Sequence, residues 1–138
     1  MAIKDYPQYK LFKFTLMLNH NKAKFQKPST GTRAVDSTII NRAYYSAYSY
    51  VYLWLEEKFN FKPKQKWEFE ERGENYISEH LQVRKSLMDH NKETSSGYLY
   101  ELHGLRKKAD YSLFSPITQK NINDSIEYMN NILDDLKF

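Results

Sequence analysis

Apolar side chains recur every three to four residues over five segments of this chain, the spacing that turns one face of an α-helix toward a core. After Pro7, a residue suited to a first helical turn, Tyr9, Phe12, Leu16 and His20 keep that interval. A long second helix, capped by Thr32 or a near neighbour, carries Ile40, Ala43, Tyr44, Ala47, Val51, Trp54 and Leu55 on one stripe. Tyr45, Tyr48 and Tyr52 form a second stripe on the adjoining face. A third helix runs from near Tyr76 through Ile77, Leu81, Arg84 and Leu87 or Met88. A fourth places Tyr98, Leu102, Leu105 and Ala109 at helical intervals, with Leu99 and Leu113 beside them, and Ser115-Pro116 ends it. For the fifth, Thr118 is the expected N-cap, with Ile117 and Ile122 placed as a hydrophobic staple. Ile126, Met129, Leu133 and Leu136 then continue its buried stripe.

The stretches between are polar. Lys27 to Thr32 reads as a loop, and Asp89 to Ser96 as a loop or a helix start. Asn60 to Gly73, interrupted by Pro63, reads as an ordered loop anchored by Trp67, where Lys64 and Lys66 beside the indole suit contact with a substrate. No repeat, low-complexity tract or domain boundary is visible. The expectation is one all-α domain over residues 1–138, a four- to five-helix up-and-down bundle. Its second helix is apolar around most of its circumference, which places it at the centre or against a partner chain. Ala43 and Ala47 allow another helix to approach it closely.

Composition narrows the class. With 138 residues, 41% hydrophobic and 28% charged, the chain is long enough for a single core and too apolar for disorder. The mean hydropathy of −0.79 is low because the 12 tyrosines count as polar yet bury large rings. Absence of cysteine removes disulfides, thiolate metal sites and a Cys nucleophile. No apolar run reaches membrane-spanning length, and Met1 to Tyr6 lacks the layout of a signal peptide, so a cytoplasmic protein is expected. A net charge of +4 is compatible with an acidic partner such as RNA.

Candidate chemistry concentrates in the fourth helix. At about 100° per residue, His103, Arg106 and Asp110 share a narrow arc and Tyr111 lies just off it. One reading is a polar site in which Arg106 grips a phosphate while His103, Asp110 or Tyr111 handles protons. The other is an exposed face with an Arg106–Asp110 ion pair one turn apart. Mid-helix Gly104 costs about 1 kcal/mol relative to Ala, a cost easier to understand if a helix or ligand passes close by. His80 and Arg84 are spaced to share one face of the third helix. His20, His80, His90 and His103 show no i,i+4 pairing, so no metal site is expected and no cofactor is called for. The tyrosine stripe suits either a core or dimer face or an RNA-stacking platform.

Three stretches resemble the HEPN superfamily of small all-helical domains: Arg42-Ala43-Tyr44-Tyr45-Ser46-Ala47-Tyr48, Glu79-His80-Leu81, and Leu105-Arg106-Lys107-Lys108-Ala109-Asp110-Tyr111 followed by a Thr118-capped last helix. The likeness runs from about Ala34 onward. It implies association with RNA or nucleotide and, in the ribonucleolytic members, metal-independent cleavage by an Arg and a His four to six positions beyond it. Arg106 takes the Arg position and Lys107 the polar one after it, but Tyr111 stands where the His belongs. Tyrosine, with a pKa near 10, is a weak base at neutral pH, though it donates hydrogen bonds well. The resemblance puts Arg106, Asp110, Tyr111 and neighbouring His103 in the catalytic set, with Arg42, Lys107, Lys108, His80 and Arg84 as RNA or nucleotide contacts. It further implies a homodimer, at times beside a nucleotidyltransferase-like partner protein, in toxin–antitoxin or antiviral systems. The alternatives are a non-catalytic HEPN-like module binding RNA, a nucleotide or a protein, and a structural dimerisation subunit.

Overall fold

Everything in this molecule is arranged around one long helix. The computed structural model describes residues 6–28, 31–112 and 114–138, and all their regular structure is helical. The helices are α1 (Pro7–His20), α2 (Lys22–Phe25), α3 (Gly31–Phe59), α4 (Lys66–Glu71), α5 (Glu79–Asp89), α6 (Glu93–Tyr111) and α7 (Gln119–Asp135). Five of these are long, and the two short ones, α2 and α4, sit in the linking stretches. α3 packs against α1, α6 and α7 and more lightly against α5 and α2, while α6 also lies against α5 and α7.

The central place of α3 follows from its two stripes. Ile40, Ala43, Tyr44, Ala47, Val51, Trp54 and Leu55 are all buried, as are Ile39, Tyr50 and Leu53 between them. The main core joins Ala43, Tyr44, Ala47, Tyr50, Val51, Trp54 and Leu55 to Val83 and Leu87 of α5, Leu99 and Leu102 of α6, and Met129, Ile132 and Leu133 of α7. A smaller core at the start of α3 gathers Val35, Ile39, Ile40, Ala109 and Ile122. Polar ties close both ends. The Tyr50 hydroxyl donates to the Leu136 carbonyl at 2.6 Å and the Trp54 indole to that of Lys137 at 3.0 Å. Arg33 of α3 donates to the carbonyls of Ala109 and Ser112 at 3.1 and 2.8 Å, capping the C-terminal end of α6 with a cation where the helix dipole is negative.

Thr118 caps α7 as expected: its Oγ1 accepts from the Asn121 amide at 3.1 Å, and the Asn121 side chain accepts from the Thr118 amide at 3.1 Å. Ile117 and Ile122 both join the smaller core. Thr118→Ala removes one half of this reciprocal pair. A loss of about 1 kcal/mol in urea unfolding is expected, and no loss would mean that the cap is idle.

Elsewhere the structure corrects the reading. α3 begins at Gly31, so Thr32 lies inside the helix rather than at its cap, and Ser29 and Thr30 of the expected loop lie outside the described residues, as does Leu113. Asn60 to Gly73 is not all loop, because α4 forms within it. The ring that anchors this stretch is Phe69, 4% exposed, whereas Trp67 is 57% exposed. Trp67 precedes Phe69 by two positions, which on a helix puts the two on different faces. The third helix starts at Glu79, capped by Ser78, so Tyr76 lies before it. The fourth ends at Tyr111, before Ser115-Pro116. Gly104 is exposed and a Cβ there would meet nothing, so no helix among the described residues explains it.

Candidate functional site

α3, α5 and α6 bring together a cluster of aromatic, imidazole and charged groups around the Tyr44 ring. Tyr44 is fully buried, and both histidines of the neighbouring helices pack on it: His80 of α5 at 5.7 Å between ring centroids and His103 of α6 at 5.3 Å. The two imidazoles stack on each other at 4.7 Å and 11°. The Tyr44 hydroxyl is hydrogen-bonded to Nδ1 of His80. Neither nitrogen of His103 has a hydrogen bond among the described residues. Tyr48, one turn along α3, packs on His80 at 4.7 Å with the rings tilted by 42° and donates its hydroxyl to Glu79 at 2.6 Å.

Arg106 borders this cluster. Its guanidinium lies 5.8 Å from the Tyr44 ring, 5.2 Å from Tyr45 and 5.8 Å from Tyr111, within reach of cation–π attraction to all three. Its Nε donates to Asp110 Oδ2 at 3.1 Å. That same oxygen accepts from Asn41 Nδ2 at 3.2 Å, and Asn41 Oδ1 accepts two hydrogen bonds from Arg42, at 3.1 and 2.6 Å. A chain of polar contacts thus runs from Arg42 through Asn41 and Asp110 to Arg106. Beside it lies a groove of about 220 Å³ lined by Ser37, Thr38, Asn41, Arg42 and Asp110. Among the described residues the two terminal nitrogens of Arg106 make no hydrogen bond, so the fork is held at its root and open at its tip. That geometry suits an anion, because a guanidinium binds phosphate oxygens through paired N–H groups.

The electrostatics keep the imidazoles neutral. Burial, followed by the positive field of His80, Lys107, Arg106 and Arg84, lowers the His103 pKa to about 4. Burial and then Arg106 lower that of His80, with Glu79 opposing. Burial raises the Tyr44 and Tyr48 phenols, which stay protonated. A consequence for stability follows. A depressed histidine pKa means that the unfolded chain binds the proton more readily, so His103 stabilises the fold above its ordinary value of 6.5 and that contribution is lost as pH falls toward about 4. After discounting for partial exposure, the acid-induced loss is about 1–2 kcal/mol. Urea unfolding at pH values spanning this window should show the loss in wild type and less of it in His103→Gln. Equal slopes would refute the assignment.

The expected site residues divide accordingly. His80, His103, Arg106 and Asp110 meet in one cluster, with Arg42 joined to it through Asn41. Tyr111 stands at its rim, 70% exposed, with its ring toward Arg106. Lys107 is exposed beside His103. Arg84 contributes to the field, but its guanidinium lies over the Tyr100 ring at 4.8 Å. Lys108 faces elsewhere and donates to Asn121 of α7 at 3.1 Å. The sequence reading did not select Asn41, Tyr44 or Arg33 for the site. The spacing of Tyr44 shows it as part of a core stripe, and nothing in the spacing of His80 and His103 announces that their rings stack. A separate apolar groove of about 440 Å³ between α1 and α2, lined by Phe14, Met17, Leu18 and Phe25 among others, carries no comparable set of groups.

No described helix is long and apolar enough to cross a membrane, and among the described residues no three His, Asp or Glu side chains are grouped to hold a metal ion. Comparison with family models, with curated proteins and with solved structures finds no match to this chain.

Proposed function

We propose that this chain is a HEPN-like RNA-associated protein whose side-chain cluster at the meeting of α3, α5 and α6 cleaves RNA without a metal ion, as part of a toxin–antitoxin or antiviral defence system. The observation that carries the reading is the open fork of Arg106 beside neutral His103, both packed on Tyr44. Anion-stabilising donor and proton acceptor are the two groups that transesterification of RNA requires. The 2′-hydroxyl oxygen attacks the adjacent phosphorus and its proton passes to His103. Arg106 stabilises the charge that builds on the phosphorane oxygens. The bond from phosphorus to the 5′ oxygen breaks, and that oxygen takes the proton back from the imidazolium. The products are a 2′,3′-cyclic phosphate and a 5′-hydroxyl end. Tyr111, exposed at the rim, donates a hydrogen bond to the substrate rather than acting as base. A second copy packed on the open face of α6 around Gly104 and Tyr111 would set two Arg106 side chains along one phosphate chain. A nucleotidyltransferase-like protein would be the partner in such a system.

A second reading, a non-catalytic module binding RNA or a nucleotide, draws on Tyr111 at the His position and on Asp110 already engaging Arg106. One assay separates them: incubation of purified protein with varied RNAs in EDTA, with wild type and Arg106→Ala side by side. Cleavage leaving cyclic phosphate ends is expected. Binding without cleavage replaces the first reading by the second, and a folded protein that neither binds nor cleaves RNA refutes both.

A further inference from the structure

The contact between Tyr44 and His80 decides more than packing. The Tyr44 side chain is fully buried, and its hydroxyl has one hydrogen-bond partner among the described residues, Nδ1 of His80. A buried hydroxyl that fails to donate loses its hydrogen bonds to water without replacement, so buried hydroxyls donate wherever an acceptor is in reach. The phenol holds its proton, so it donates and Nδ1 accepts. A neutral imidazole that accepts at Nδ1 carries its hydrogen on Nε2. His103, stacked against the same rings, has no hydrogen-bond partner at either nitrogen among the described residues, so one of its nitrogens is available to accept.

We propose that Tyr44 is a positioning residue that fixes His80 as the Nε2–H tautomer, making His80 a hydrogen-bond donor to a substrate phosphate and leaving His103 as the proton acceptor. Two imidazoles that look alike in sequence thereby take opposite roles, because only His80 is hydrogen-bonded to the Tyr44 hydroxyl, whereas His103 stacks on its ring. With Arg106, the cluster then presents two donors toward an anion and one acceptor toward a hydroxyl. Glu79 and Tyr48 flank His80 on the other side and hold each other through their own hydrogen bond, so neither competes for Nδ1. The role toward phosphate rests on the RNA reading, whereas the tautomer does not.

The test is nitrogen-15 histidine NMR of the wild-type protein at neutral pH, with His80 assigned by its loss in His80→Gln. The expected spectrum has an unprotonated Nδ1 and a protonated Nε2 at His80. In Tyr44→Phe, which deletes only the hydroxyl, the His80 nitrogens should shift toward a mixture of tautomers. A protonated Nδ1 in wild type, or a Phe variant with unchanged His80 signals, overturns the positioning role. Titration with a nucleoside 3′-monophosphate then tests the donor role: the His80 Nε2–H resonance should move downfield, and Tyr44→Phe should weaken binding about tenfold, the worth of one good hydrogen bond. Binding that perturbs His103 but not His80 refutes the donor role. If no nucleotide or RNA binds at all, the RNA reading falls and the donor role with it, while the tautomer spectrum still decides what Tyr44 does.

Discussion

Leu102→Ala should destabilise this chain by about 2–5 kcal/mol, a large share of the roughly 5–15 kcal/mol that holds a domain of this size together. Leu102 is fully buried and belongs to the main core where α6 meets α3, α5 and α7. Truncation removes the transfer free energy of its hydrocarbon and leaves a void that several helices cannot close at once, since each is held by neighbours on other sides. The measurement is thermal and urea unfolding followed by circular dichroism. A fall of roughly 10 °C in Tm is the expected scale. A change below about 1 kcal/mol would mean that α6 is not packed through this face, and the placement of Arg106 and His103 on its adjoining face would fall too. Tyr100, 57% exposed on the same helix, provides the contrast: Tyr100→Ala should change stability little.

Under the proposed RNA-cleaving role, Arg106→Ala should lower RNA cleavage by about 100- to 1000-fold while leaving the fold intact. The rate effect is that of removing a preorganised donor from the place where negative charge develops. The stability effect is small for a structural reason. The ion pair between Arg106 and Asp110 spans one helical turn at 3.1 Å with side chains 16% and 26% exposed, but Asp110 keeps its hydrogen bond from Asn41 when the guanidinium is gone. A cost near 1 kcal/mol is expected. Arg106→Lys should recover little activity, because an ammonium keeps the charge without the planar fork. If Arg106→Ala cleaves as well as wild type, the site has been misassigned. If it instead unfolds, the pair with Asp110 is a structural tie, and the choice between the two sequence readings of this helix face is settled the other way.

Legibility of this protein in its sequence varied by kind of information. Helix existence and the buried stripes of α3 and α7 were plain, because a helix that must bury one face repeats its apolar residues at its own period. The Thr118 cap was equally plain, since capping is a local hydrogen bond between residues three apart. Boundaries in the linking stretches were less so. α4 is a short helix closed at its start by the Gln65 amide donating to the Glu68 carboxylate at 2.5 Å, and Phe69 is buried while Trp67, on a different face of the same turn, is exposed. Arg33 lies far in sequence from the carbonyls it caps, and nothing local to it signals that role.

The candidate site divides along the same line. By itself the sequence determined that the chain is helical, which faces of its helices are apolar, and that His103, Arg106 and Asp110 share one arc of a single helix, all consequences of spacing along a continuous backbone. Only the tertiary structure decided that His80 stacks on His103, that the Tyr44 hydroxyl is hydrogen-bonded to one imidazole and not the other, that Asn41 links Arg42 to Asp110, and that Lys108 turns away. Those relations join residues of separate helices, and they depend on the rotation and height at which helices pack, which the hydrophobic period constrains only to a face and never to a particular pair of side chains.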